Sequence, residues 1–165
     1  SKAPVLEIKE EIKEVSKEVK DSITTELNEA IEIVVPKTRK QIKDELIAKG
    51  FKTFDYVDVK TKDTVLMQQY FMAFLKRGPI RGQNEEESAE LQELHLAYLK
   101  KMYDLGYADI SGPFGDDGDM RGVTIYNVST LKMADILANA DPMFISGRFE
   151  IEIHPCGAGK GFLIR

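Results

Sequence analysis

The stretch "YFMAFLKRGP", residues 70–79, predicts a β-strand that is apolar on both faces. Successive side chains of a strand point to opposite faces. One face therefore carries Tyr70, Met72 and Phe74, and the other carries Phe71, Ala73 and Leu75. The Arg-Gly-Pro step that follows stops the strand. A strand that is apolar on both faces needs cover on both, so we expect helices on one face of its sheet and a second subunit or a ligand on the other.

The next segment, "SAELQELHLAYLKKMYDLG" at residues 88–106, has the apolar spacing of an amphipathic helix. Ser88 or Asn84 suits its N-cap, and Gly106 suits its C-terminal end. On a helical wheel His95 lies close to the apolar arc, so it faces inward or toward the edge of the buried face. The helical pattern alone favours structural packing for His95, because inward histidines are more often hydrogen-bonded core residues than catalytic groups.

The remaining segments complete the order strand, helix, strand, strand, helix, strand. Strands are predicted at residues 107–114 and 121–128, joined by the acidic turn "GDDGDM". A helix follows at residues 129–140, and the last strand covers residues 147–155. This order predicts an α+β fold, the ferredoxin-like βαββαβ arrangement, in which both helices cover one face of an antiparallel sheet.

Composition and the spacing of apolar residues predict an N-terminal helical extension, residues 1–65, and an α+β domain, residues 66–165. Residues 1–31 repeat apolar side chains at helical spacing, with lysines on one flank and glutamates on the other. A helix with this pattern is suited to packing against a partner helix. The alternative is a solvated helix without a partner, which has the same pattern. A second helix is predicted at residues 36–50, and a strand or an extended connection at residues 51–65.

Composition and charge exclude several classes of function. The 165 residues carry a formal net charge of −5 without a basic stripe, so no nucleic-acid partner is expected. A membrane span requires about 18 uninterrupted apolar residues, and the sequence has no such window. Two histidines and the single Cys156 lack metal-ligand spacing, so no metal site is expected. Localisation stays open between the cytoplasm and export, the latter if a segment missing before Ser1 was a signal peptide.

Three further positions are candidates for chemistry. Asp141 precedes Pro142, which disfavours helical geometry before it, so Asp141 lies where the second helix of the domain ends. It fits a turn residue, and it also fits the carboxylate partner of His95, because both helices lie on one face of the sheet. Gly112 marks a β-bulge, which the pattern favours, or a close approach by a ligand. His154 lies on the polar face of the last strand and is interpreted as a surface or interface residue.

Three segments together form a known pattern. The segments "YFMAFLKRGPIRGQ", "AELQELHLAYLKKMYDLGYADISGPFGDDGDMRGVTIYNV" and "NADPMFISGRFEIEIHP" resemble the YciI-like (YCII-related) family over about residues 69–161. The resemblance implies a ferredoxin-like fold that pairs into a dimeric α+β barrel, hence a homodimer with a small-molecule ligand in its cleft. It also implies a His–Asp pair in that cleft, which the motifs place at His95 and Asp141. By the same motifs, the cleft is lined by Ser111, Gly112, Pro113, Phe114 and Arg148.

The resemblance changes the favoured interpretation of His95 from packing to a site role. One branch of the family removes chloride from a chlorinated hydroxyquinol-type ring without a metal. The sequence therefore predicts a cofactor-free enzyme of lyase, isomerase or dehydrochlorinase type, with His95 as general acid or base and Asp141 orienting it. Arg148 or a backbone N–H near Gly112 is the candidate for stabilising an enolate-like oxygen. The alternative is a non-catalytic module that binds a metabolite or, through its charged extension, a protein.

Overall fold

The computed structural model describes residues 13–25 and 36–161. The chain divides into two compact units, residues 1–38 and residues 39–165. In the first unit, helix α1 spans residues 13–25, which confirms the predicted N-terminal helix over that stretch. The rest of that predicted helix lies outside the described residues, and its partner helix stays a prediction.

The described part of the second unit contains four helices and five strands. In chain order they are α2 (Arg39–Ala48), β1 (Thr53–Val57), β2 (Thr64–Arg77), α3 (Glu85–Asp104), β3 (Ala108–Pro113), β4 (Met120–Tyr126), α4 (Leu131–Asn139), α5 (Pro142–Ile145) and β5 (Phe149–Gly159). The succession β2, α3, β3, β4, α4, β5 confirms the predicted α+β order. The single turn α5, which directly follows α4, was not predicted.

The strands form one antiparallel sheet around β2, which pairs with β1, β4 and β5. Strand β3 is the outer neighbour of β4. Met67 and Gln68 pair with both β1 and β5, so these two strands lie on opposite edges of β2, and β1 shares an edge with β4. The strand predicted within the extension is therefore part of the sheet, while a domain boundary at residue 65 stays a prediction.

The core lies between α3, α4 and one face of the sheet. Phe71 and Ala73 of β2 are buried in one cluster with Met102 of α3 and with Ala134 and Ala138 of α4. Both long helices therefore cover the same face, as predicted. Side chains of β2 that alternate with these, Met72 and Phe74, point to the other face and are half-buried, as are their partners on β4, Ile125 and Val123. We call these four residues the bare apolar face.

Helix α3 carries the histidine, and its two ends explain where it begins and stops. Asn84 is its N-cap and forms a reciprocal capping box with Glu87, which decides between the two predicted caps. At the other end Gly106 has φ +74, a left-handed conformation that glycine adopts without steric cost. Within residues 13–25 and 36–161, no helix is long and apolar enough to cross a membrane.

Candidate functional site

His95 and Asp141 are in direct contact. The imidazole Nδ1 lies 2.7 Å from Asp141 Oδ2 and 3.0 Å from Oδ1, both within hydrogen-bond range. Both residues are buried. The predicted contact between α3 and the end of α4 is thus present across 46 positions of sequence.

Asp141 is held in place by the junction between α4 and α5. Helix α4 ends at Asn139, and Asp141 adopts an extended backbone with φ −65 and ψ 130 before Pro142. Its Oδ1 accepts the backbone N–H of Met143 at 2.9 Å and so caps α5. Both interpretations of Asp141 therefore apply at once, because one carboxylate serves as turn residue and as the partner of His95. This double use restrains the rotation of the carboxylate.

The contact with Asp141 orients the imidazole of His95. A carboxylate only accepts hydrogen bonds, so we assign the ring proton to Nδ1 and the free lone pair to Nε2. The ring of Phe149 packs edge-on against the imidazole, with centroids 5.6 Å apart and planes at 81°. The histidine ring is thus positioned from two sides, and His95 itself forms part of a cleft wall.

The cleft beside His95 has a volume of about 280 Å³, which suits a small organic molecule. Its wall combines α3 with four strands of the sheet. The lining residues are Gln92, His95, Leu96 and Leu99 of α3, Ser111, Gly112 and Pro113 of β3, Arg121, Gly122, Val123 and Thr124 of β4, Leu75 of β2 and Phe149 of β5. Asp141 lies behind His95 and is not part of this lining.

The predicted residues of β3 share the cleft with His95. Ser111, Gly112 and Pro113 all belong to its lining. A Cβ added at Gly112 would meet no heavy atom within 4 Å, so the missing side chain leaves open space there. Whether these residues bind a substrate stays a prediction.

Phe114 and Arg148 lie outside the lining of this cleft. Phe114 is exposed, and its backbone N–H donates to the carbonyl of Arg121 at 3.0 Å. The guanidinium of Arg148 donates to Gln83 Oε1 at 3.0 Å and to Ser88 Oγ at 3.1 Å, near the start of α3. Because neither residue is part of the cleft lining, their roles in substrate binding stay predictions.

Arg121 is the cationic residue of the lining, and its place there was not predicted from the sequence. Strict alternation along β4 would place it on the opposite face from Gly122. The pairing of β2 with β4 steps from Gly122 directly to Met120, so Arg121 is an extra residue without a partner on β2. Such a β-bulge redirects a side chain. One feature of the sequence could have indicated the position of Arg121. The predicted hairpin between β3 and β4 brings Arg121 close to Gly112 and Pro113 of β3.

Two other kinds of site receive little support. Within residues 13–25 and 36–161, no three His, Cys, Asp or Glu side chains are grouped to hold a metal ion. Cys156 is a free thiol on the wall of a separate, open cavity of about 480 Å³. Burial raises the pKa of this thiol above its ordinary value, so it is a poor nucleophile near neutral pH.

The chain is similar to a solved structure and matches a family model. A solved structure of 5-chloro-2-hydroxyhydroquinone dehydrochlorinase from Burkholderia phenoliruptrix AC1100, in complex with 2,5-dihydroxybenzoquinone, is similar to 52% of this chain and 90% of its own, at 22% identity and a TM-score of 0.39. No curated protein matches the sequence. The family model of the YCII-related domain matches residues 70–155, which is more than half of the chain. The chain therefore belongs to the YCII-related domain family.

Proposed function

We propose that this protein is a cofactor-free enzyme of lyase, isomerase or dehydrochlorinase type that acts on a small molecule. His95 is its general acid or base, and Asp141 is the residue that positions His95. The observation that carries the proposal is the buried 2.7 Å contact between the two side chains, with His95 on the wall of a cleft.

The geometry supports proton transfer at Nε2 of His95. Asp141 keeps the proton on Nδ1, so the lone pair of Nε2 is left to accept a proton from a ring hydroxyl or an acidic C–H of the ligand. The imidazolium that forms is stabilised by the adjacent carboxylate. Returning the proton to another carbon completes an isomerisation, and loss of an anion such as chloride from the deprotonated ligand completes an elimination.

The first experiment compares two histidine variants on a panel of hydroxylated, chlorinated and enolisable small rings. His95→Gln is expected to lower kcat by about 10²–10⁴-fold, the usual contribution of a general acid or base. His154→Gln is the matched control, because His154 also contacts a carboxylate but is exposed. Turnover that survives His95→Gln would overturn the proposal, and ligand binding without turnover in the natural protein would favour a binding module.

A second experiment tests the role of Asp141 through His95. Asp141→Asn keeps the shape of the side chain but presents an amide that can donate to Nδ1, which favours the wrong tautomer of His95. We expect kcat to fall with little change in KM, because Asp141 does not line the cleft. A rise in KM at constant kcat would assign Asp141 to ligand binding instead.

The predicted binding role of Ser111 is tested by filling the cleft. Ser111 pairs with Thr124, which pairs with Ala73 of the helix-covered face, so its side chain lies on the same side of the sheet as His95. Ser111→Leu is expected to raise KM or abolish activity because the ligand loses space. Gly115→Leu is the control, since a Cβ at Gly115 meets no heavy atom within 4 Å and Gly115 is not part of the cleft lining.

We also propose that a second copy of the chain covers the bare apolar face of Met72, Phe74, Val123 and Ile125. The support is that these side chains are only half-buried although they form a contiguous face of the sheet. Ile125→Glu is expected to shift the protein from dimer to monomer in sedimentation analysis. Ile136→Glu, on an exposed position of α4, is the control and should leave the oligomeric state unchanged.

A further inference from the structure

Four arginines gather near the cleft, although the whole chain is acidic. Burial, followed by the positive charges of Arg148, Arg77 and Arg121, lowers the pKa of the Arg81 guanidinium. Covalent geometry and hydrogen bonds agree with this proximity. Arg81 Nη1 donates to the carbonyl of Arg148 at 3.2 Å, and Arg77 pairs in the sheet with Phe149, which lines the cleft.

The carboxylates around this cluster neutralise it only weakly. Arg77 Nε lies 3.8 Å from Asp119 Oδ1, and Arg121 Nη1 lies 3.9 Å from Asp117 Oδ1. Both aspartates are almost fully exposed, so water screens these contacts. The guanidinium of Arg148 donates to two neutral side chains, Gln83 and Ser88. Like charges held together at a cleft attract a small anion from solution.

Arg121 is the member of the cluster that belongs to the cleft lining. It lies at the bulge in β4, where it has no partner on β2. Its Nη1 makes one long hydrogen bond, 3.2 Å, to the carbonyl of Gly118, which leaves other donors of the guanidinium for a ligand. A guanidinium presents paired N–H groups that match the oxygens of a carboxylate or phosphate.

The backbone of β3 offers a weaker alternative. Phe114 donates its N–H to the carbonyl of Arg121, so residues two apart on β3 also direct their N–H groups toward β4. The N–H of Gly112 is therefore directed into the ladder rather than toward a ligand. Arg121 is left as the better donor for an oxyanion in this cleft.

We propose that the ligand of the cleft is a small organic acid, and that Arg121 binds its carboxylate or phosphate group while the rest of the molecule contacts His95. Arg77, Arg81 and Arg148 form a positive rim that attracts the anion. This inference rests on the proposed function for the identity of the cleft, and it adds the class of substrate. It makes Arg121 a specificity-determining residue.

The experiment measures binding, without turnover, of three ring-sized probes. Benzoate carries a carboxylate, phenyl phosphate carries a phosphate, and benzamide is the neutral counterpart of benzoate. Binding is followed by calorimetry and by the NMR signal of the His95 ring, which is assigned from its loss in His95→Gln. We expect at least one anion to bind about tenfold or more tightly than benzamide, as a charge-assisted hydrogen bond predicts. The tighter anion identifies the acidic group.

Arginine variants decide whether Arg121 is responsible. Arg121→Gln should reduce the affinity for the anion to that for benzamide. Arg121→Lys should have an affinity for the anion between those of the natural protein and Arg121→Gln, because lysine keeps the positive charge but lacks the paired N–H groups of the guanidinium. Arg39→Gln is the matched control, since Arg39 lies on α2 and donates to the carbonyl of Thr64. In the natural protein, added salt should weaken anion binding and leave benzamide binding unchanged.

Two results would overturn the proposal: neither anion binds more tightly than benzamide, or Arg121→Gln and Arg121→Lys both bind the anion as the natural protein does. If Arg121→Gln does not fold, the lysine variant and the salt dependence still decide. His95→Gln is expected to retain the preference for the anion. Loss of the proposed catalysis would therefore leave anion binding standing, and the two proposals can fail separately.

Discussion

Two histidine–carboxylate pairs in this protein have the same separation and very different surroundings. His95 Nδ1 lies 2.7 Å from Asp141, and His154 Nε2 lies 2.7 Å from Glu152. Each histidine also packs edge-on against a phenylalanine, Phe149 in one case and Phe74 in the other. In the single chain, the side chains of the first pair are 9% and 4% exposed, whereas those of the second, beside the bare apolar face, are 55% and 48% exposed before any second copy packs there.

The two pairs differ in burial, because their histidine–carboxylate distances are equal and each histidine has a phenylalanine neighbour. An exposed carboxylate keeps its water and shares its partners, and Glu152 is also bound by Lys76 at 2.5 Å. Inside the protein, the effective dielectric constant is lower, so the interaction is stronger and its loss leaves polar atoms without partners. A histidine–carboxylate contact indicates a site only when burial and a cleft accompany it.

The largest expected effect is on stability at the buried pair. Asp141→Ala removes the acceptor of His95 and the cap of α5. We expect the free energy of unfolding to fall by about 2–4 kcal/mol, from about 1–3 for an unsatisfied buried donor and about 1 for a lost cap. Urea unfolding measures it. Glu152→Ala is the control and should lose much less, and equal losses in the two variants would show that burial does not distinguish the pairs.

An intermediate effect is expected on the free energy of unfolding at alkaline pH, from the buried residue Tyr126. Burial, then the charges of Tyr98 and Asp141, raise the pKa of the Tyr126 phenol well above its ordinary value of 10.0. The unfolded chain releases this proton near pH 10 and the folded chain keeps it, so stability is full below pH 10 and falls above it. The contribution of Tyr126 to that fall is at most about 1.4 kcal/mol per pH unit.

Tyr126→Phe should therefore flatten the loss of unfolding free energy above pH 10. The measurement is urea unfolding at several alkaline pH values. Tyr103→Phe is the matched control, because Tyr103 is exposed, and it should keep the slope of the natural protein. An unchanged slope in Tyr126→Phe would mean that the phenol reaches solvent when folded.

The smallest effect is expected at the exposed pair. Hydrogen bonds from Lys76, and then from His154, lower the pKa of the Glu152 carboxyl below its ordinary value of 4.5. A lowered pKa contributes stability above pH 4.5, and this contribution is lost as the pH falls below it. Glu152→Gln should lower Tm slightly at neutral pH and not below this window. High salt should remove the difference, and a difference that persists in salt would mean that Glu152 is less solvated than it appears.

Local features of the sequence predicted most of the framework. Alternation identified the two faces of β2, helical spacing identified α3, and Asn84 and Gly106 marked its ends. These features depend on residues that are close in the chain, so backbone geometry and propensity are enough to predict them.

The placement of individual side chains was less predictable. Arg148 was expected in the cleft, and the structure holds its guanidinium on Gln83 and Ser88 instead. Arg121 was not expected there, because a bulge is invisible to simple alternation. The guanidinium of Arg148 is held by partners 60 and 65 positions away in sequence, and the bulge at Arg121 depends on the register between β2 and β4.

Short-range periodicity was enough to predict the α+β order, the apolar character of both faces of β2 and the position of His95 on the inner side of α3. The direct contact between Asp141 and His95, and the place of Arg121 in the cleft lining, depend on the tertiary fold. The contact between His95 and Asp141 spans 46 positions of sequence, and it exists only after sheet register and helix packing have excluded water and fixed each side chain against its neighbours.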